Sequence, residues 1–202
     1  MIKSLSRFIL TSIGWKTSQT VTLPDKCVLI GAPHTSNWDF PLTLLGLSSM
    51  GVKFNWVAKH TLFFWPLGIL LRSIGGIAVD RSQGTSFLKR IIELYGSQEK
   101  LVLAIAPEGT RSKTRHWKTG FYTIAHRSGV PIGLGYIDYS RKMIGLEKIV
   151  EPSGDISQDF EIIKEYYQDK TGRFPEKQGA VRIKERTRKR PEENSSKPEE
   201  IK

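Results

Sequence analysis

The sequence predicts an α/β domain with a mainly parallel central sheet flanked by helices and an amphipathic helix at the N-terminus. Three observations carry this expectation. Short apolar runs recur along the chain, and segments of helical spacing fill the intervals between them. The composition is also sufficient for a core, with 39% hydrophobic and 25% charged residues in a 202-residue chain, a length that fits one domain.

At the start, Ile2, Leu5, Phe8, Ile9 and Ile13 fall at helical spacing with Lys3 and Arg7 interleaved. The first fifteen residues therefore read as an amphipathic helix, able to lie on a membrane or to pack on the protein's own core. Buried strands are expected at 27–32, 55–58, 77–79, 101–106 and 131–137, where apolar residues run together. Helices are expected at 41–50, 63–74, 85–95 and 120–128, with one more at 159–167. From about Gly172 the apolar content falls, and 182–190 holds six basic residues. The expected division is 1–20 as the N-terminal helix, 21–172 as the main domain and 173–202 as a basic, disordered tail.

Lys and Arg total 31 against 20 Asp and Glu, a formal net charge of +11. Either a solvated basic surface or an anionic partner fits this charge, the partner being nucleic acid, anionic lipid or a phosphorylated substrate. The one cysteine, Cys27, lies in an apolar run and reads as a buried, inert thiol. Neither a disulfide framework nor a metal site is expected, because CxxC pairs and a His/Cys ligand set are absent. The N-terminus has neither a long uninterrupted apolar core nor a small-residue cleavage site, so no signal peptide is read there. The longest apolar stretch, 62–71, is interrupted by Pro66 and Gly68 and falls short of the roughly 20 residues a spanning helix needs. No transmembrane helix is predicted.

Chemistry-bearing residues cluster at the ends of the expected strands. His34 follows the first strand and precedes Asp39 by five residues in Pro33-His-Thr-Ser-Asn-Trp-Asp39. A neutral imidazole is a competent base near pH 7, and a carboxylate on its other nitrogen fixes the tautomer and stabilises the imidazolium. Five residues subtend about 140° of a regular helix, so such a pair requires His34 to sit on a turn ahead of the helix that bears Asp39. Ser36 and Asp39 also have capping-box spacing, which offers Asp39 a purely structural role instead.

After the fourth strand comes Pro107-Glu-Gly-Thr-Arg111. Gly109 lets backbone approach a ligand, Thr110 offers a hydroxyl, and Arg111 supplies a donor fork matched to phosphate. A plain turn with an exposed arginine is the alternative. A third strand end carries Gly75-Gly-Ile-Ala-Val-Asp-Arg81, where Asp80 and Arg81 read first as a surface salt bridge and gain meaning only if their strand lies beside the other two.

Together these blocks resemble the glycerolipid acyltransferase family, which contains the bacterial 1-acylglycerol-3-phosphate acyltransferases, over roughly residues 25–140. The His-x4-Asp block is His34 to Asp39; Lys59, Leu62, Pro66 and Gly68 match the next pattern; Val79-Asp-Arg81, Glu108-Gly-Thr-Arg111 and Val130-Pro-Ile132 follow in family order. The resemblance implies that 21–172 is an acyltransferase domain, that His34 deprotonates the acceptor hydroxyl and that Asp39 orients it. It further implies that Lys59, Arg81 and Arg111 hold the acceptor's phosphate while Glu108, Gly109 and Thr110 shape the pocket. Acyl-CoA or acyl-ACP is the implied co-substrate, with no bound cofactor and direct transfer. The absence of a Gly-x-Ser-x-Gly nucleophile elbow agrees with direct transfer.

The expected function is thus acyl transfer to a lysophospholipid, most readily 1-acylglycerol 3-phosphate, by a peripheral enzyme on the cytoplasmic face of an anionic membrane. Two rivals are a basic nucleic-acid-binding protein and a non-catalytic lipid-binding module. Nucleic acid is the weaker partner, since RRM, KH and zinc-finger signatures are missing.

Overall fold

In the computed structural model, residues 2–79 and 84–184 are described. In chain order the elements are α1 (Ile2–Ser12), β1 (Lys16–Gln19), β2 (Lys26–Ala32), α2 (Asp39–Met50), β3 (Asn55–Lys59), α3 (Leu67–Ser73), β4 (Gly76–Val79), α4 (Gly84–Ser97), β5 (Leu101–Ile105), α5 (Gly120–Ser128), β6 (Ile132–Asp138), β7 (Met143–Val150) and α6 (Ile156–Tyr167). One seven-stranded sheet runs in the order β1-β7-β6-β2-β5-β3-β4. Strands β6, β2, β5, β3 and β4 are mutually parallel, whereas β7 is antiparallel to β6 and β1 runs parallel to β7. This is the expected α/β class, and each of the five expected strands is present.

Strand β2 sits at the centre and divides the core by its alternation. Val28 and Ile30 face one layer with Ile91, Phe121, Ile124, Phe160 and Tyr167, while Leu29 faces another with Leu10, Leu42, Leu47, Ile144 and Leu146. A strand covered on both faces has to be apolar throughout, which is why 27–32 is legible as a run.

Two strands escaped the sequence reading. The segment Lys16–Gln19 is polar and lies at the sheet edge, where solvent satisfies its side chains and no apolar pattern is required. In β7, Gly145, Glu147 and Lys148 break the apolar run, and its pairing with β6 closes through a turn in which Lys142 has φ 48°. The expected helix at 63–74 is shorter, preceded by a single 3-10 turn at His60–Leu62, because the chain takes up helical geometry only after Pro66.

The N-terminal helix exists, but the stripe read as its apolar face does not supply its main buried contact. It packs on α2 through Ser6 and Leu10, leaving Ile2, Leu5 and Phe8 at 74%, 59% and 70% exposure. A second exposed apolar group is formed by Leu62, Phe64, Trp65, Ile69 and Leu70. No helix among the described residues is long and apolar enough to cross a membrane.

The expected tail requires correction over 173–184. Phe174 donates its N–H to Thr35, Trp117 donates its N–H to the Arg182 carbonyl, and Val181 and Ile183 pack against the core. Composition misled here because these few apolar residues are spaced among charges yet each finds a partner far away in sequence. The edge strand β1 likewise places part of 1–20 within the sheet. Residues 185–202 lie outside the described part.

Candidate active site

The parallel register brings two motif loops together. Strands β2 and β5 are neighbours, with Ile30 opposite Ile105, so the loops after them leave the same sheet edge side by side. That edge, at the carboxyl ends of parallel strands, is where open α/β sheets place their ligands.

His34 stands in the loop between β2 and α2, and Asp39 is the first residue of α2, so the turn demanded by their spacing is present. His34 Nδ1 lies 3.0 Å from Asp39 Oδ2; the imidazole is 27% exposed and the carboxylate 4%. With Nδ1 donating to the carboxylate, Nε2 carries the free lone pair. Asp39 Oδ2 also accepts the backbone N–H groups of Thr35 and Ser36, each at 2.9 Å, and Oδ1 accepts the Tyr139 hydroxyl at 2.7 Å. The Asp39 carboxylate therefore ties down the Thr35–Ser36 turn ahead of α2 and pairs with His34, while α2 itself has no side-chain cap. Burial by itself would raise the Asp39 pKa, but the hydrogen bonds from His34, Ser36 and Tyr139 outweigh it and hold the carboxyl below the usual carboxylate range.

Tyr139 was not found from the sequence. It follows β6, the other neighbour of β2, and that adjacency carries its hydroxyl to a residue one hundred positions earlier. Its ring is held edge-on by Trp15 at 5.0 Å and its backbone N–H by the Thr171 carbonyl.

Glu108 is 6% exposed and accepts the His34 backbone N–H at 2.9 Å through Oε1. Burial, only partly offset by backbone N–H donors including that of His34, pushes its carboxyl up to about 6. It clamps the His34 loop from behind and does not line the cavity in front, which differs from the pocket-shaping role implied for it. Gly109 adopts φ +67°, and a Cβ there would come within 3.2 Å of Lys118 Cγ, so a left-handed turn and a close approach both call for glycine.

One cavity of about 1180 Å³ is lined by His34, Asp39, Gly109, Thr110 and Arg111 together with Lys118, whose part in the site the sequence did not signal. Its remaining wall is largely apolar. On the α2 side, Phe40, Thr43 and Leu47 face Leu29, Gly31 and Ala104 of the sheet. Gly31 is exposed although it lies in the central strand, and a Cβ built on it would meet nothing within 4 Å. The cavity therefore continues along the sheet at that point.

One expected phosphate ligand is not among the described residues that line this cavity. Lys59 is exposed at the end of β3 and is not part of the lining. Arg81 lies outside the described residues. Among the described residues no group of His, Cys, Asp and Glu could hold a metal ion.

A sheet-edge histidine paired to a buried carboxylate, beside a loop reading Glu-Gly-Thr-Arg, agrees with the comparisons with known proteins. The family model described as Acyltransferase matches residues 16–133, and the chain belongs to that family. It is an acyltransferase. The fold is similar to that of the 1-acyl-sn-glycerophosphate (LPA) acyltransferase PlsC from Thermotoga maritima, known from its crystal structure. That likeness has a TM-score of 0.58 at 20% identity and covers 83% of this chain and 77% of that one. No curated protein sequence matches the chain significantly.

Proposed function

We propose that the protein transfers a fatty acyl group from an acyl-CoA or acyl-ACP thioester to the free hydroxyl of a lysophospholipid, with 1-acylglycerol 3-phosphate the best-fitting acceptor. The observation that carries this reading is a single cavity that combines a His34–Asp39 base, the cations Arg111 and Lys118, and a long apolar wall. A lysophospholipid presents the matching set of hydroxyl, phosphate and acyl chain.

In this reaction His34 Nε2 takes the hydroxyl proton as the acceptor oxygen attacks the thioester carbonyl. The new C–O bond forms, the C–S bond breaks, and the imidazolium returns its proton to the departing thiolate. Asp39 stabilises the transient imidazolium. Arg111 pairs with the acceptor phosphate, and its planar fork suits two oxygens at once.

The exposed apolar residues of α1 and of 62–70 support peripheral attachment to an anionic membrane, with the +11 charge adding attraction, and the proposed site of action is its cytoplasmic face. Co-sedimentation with anionic liposomes tests this, and a protein left wholly in the supernatant would refute it.

The central test is thiol release from an acyl thioester by the purified protein with a panel of lysolipids. Release dependent on a phosphate-bearing lysolipid is expected; lysolipid binding without release would favour a non-catalytic lipid-binding module. Arg111→Ala is expected to raise KM for the phosphate-bearing acceptor about tenfold or more, in line with the roughly 1.5–3 kcal/mol of a charge-assisted hydrogen bond. An equal rise for a phosphate-free acceptor would remove Arg111 from the phosphate.

Gly31→Leu is expected to project a side chain into the cavity and shift donor preference to shorter chains. Overpacking costs about 1–3 kcal/mol, so kcat/KM for a long-chain donor should fall about tenfold relative to a short one. An unchanged chain-length profile would place the acyl chain elsewhere.

A further inference from the structure

The loop from Thr110 to Thr119, between β5 and α5, carries Arg111, Lys113, Arg115 and Lys118, all exposed. No acidic residue occurs between Glu108 and Asp138. Against this loop lies the segment 179–184, which its composition had assigned to a tail. Trp117 and Ile183 form a parallel bridge, the Trp117 N–H donates to the Arg182 carbonyl at 2.8 Å, and Arg182 Nε donates to the Arg115 carbonyl at 2.8 Å. Trp117 is 4% exposed and anchors the pair of segments from beneath.

The outcome is a shelf of six exposed cations drawn from two distant parts of the chain, adding Arg182 and Lys184 to the four of the loop. Among the described residues none of the six forms an ion pair. The shelf is continuous with the cavity, since Arg111 and Lys118 also line it. Like charges held together repel one another and attract an anion.

We infer that this shelf docks an acidic carrier protein that presents the acyl thioester to the cavity, an inference that rests on the acyltransferase reading above. Three observations favour that occupant. The cations are exposed side chains spread over two segments, which suits an extended acidic surface better than a small nucleotide that needs enclosure. Neither segment contributes an exposed large hydrophobic residue, whereas the groups suited to lipid lie on α1 and at 62–70. The shelf also adjoins the cavity holding His34, so a flexible arm reaching from a docked carrier delivers its thioester to the base.

The test uses the triple variant Lys113→Glu, Arg115→Glu and Lys184→Glu. These side chains make no hydrogen bond among the described residues, and Arg182, Arg111 and Lys118 are left in place. With acyl-ACP as donor, kcat/KM is expected to fall at least about tenfold, as loss of electrostatic complementarity slows association. With acyl-CoA it should stay within about twofold, and lysolipid KM and liposome co-sedimentation should not move. Raising NaCl should slow the native protein with acyl-ACP more steeply than with acyl-CoA. If the triple variant does not fold, Lys113→Glu alone and the salt series carry the comparison.

An equal loss with both donors, no loss with either, or lost liposome binding with unchanged rates would each overturn the carrier-docking assignment. Turnover of acyl-CoA but not acyl-ACP by the native chain would overturn it too, while leaving the acyltransferase reading intact. Release from neither donor would count against that reading instead. In that event a direct titration of the native protein with holo acyl carrier protein decides the shelf: saturable binding lost in the triple variant supports it, and no binding overturns it.

Discussion

Thiol release by His34→Ala is expected to fall by about 10² to 10⁴, the range a positioned general base contributes. Thermal unfolding should change little, because the imidazole is part-exposed and its one hydrogen bond among the described residues is to Asp39. The loop itself is held by other groups: Glu108 accepts the His34 backbone N–H, and Asp39 accepts those of Thr35 and Ser36. A variant that unfolded would confuse a lost base with a lost fold, and this anchoring is what separates them. Near-native turnover would remove His34 as the base.

Asp39→Asn is expected to lower kcat by a similar order, about 10² to 10⁴, through loss of the charge that stabilises the imidazolium. The amide oxygen can still receive the donors now held by Oδ2, and the amide nitrogen can donate to the Tyr139 hydroxyl. Geometry should therefore survive while the charge does not. Asp39→Ala is the harsher change. It leaves the buried N–H groups of Thr35 and Ser36 without their acceptor, each at a cost of about 1–3 kcal/mol, so its melting temperature should drop as well. If Asn and Ala lowered stability alike and Asn kept native turnover, Asp39 would only tie down the turn ahead of α2.

The lowered Asp39 pKa bears on how such variants are read. Its carboxylate stays ionised below the usual carboxylate range, so loss of activity on mild acidification has to be sought in another group. Glu108, pushed up to about 6 by burial, is the other carboxyl touching this loop. It can accept the His34 N–H through Oε1 whether or not it is protonated.

Fold class and the position of the motif loops were legible because both rest on local pattern. A central strand buried on two faces must be a continuous apolar run, so 27–32 and 101–106 announced themselves. Residues that terminate such runs reach the ligand edge of a parallel sheet, and the pattern alone points to His34 and Arg111. The edge strand Lys16–Gln19 left no such mark, because water satisfies its polar side chains.

What only the tertiary structure decided are the partnerships between segments remote in sequence. Asp39 and Tyr139 meet because β6 lies beside β2, and neither residue carries a local signal of the other. Glu108 turned from a presumed pocket wall into the clamp on His34 because β5 lies on the other side of that strand. The 179–184 segment reads as tail because periodicity reports burial only for regular elements, while its Val181 and Ile183 are half-buried against the core beside a single bridge from Ile183 to Trp117. The cavity that joins base, cations and apolar wall has no sequence signature, since its volume is what remains after distant side chains such as Leu47, Phe87 and Ile144 have packed.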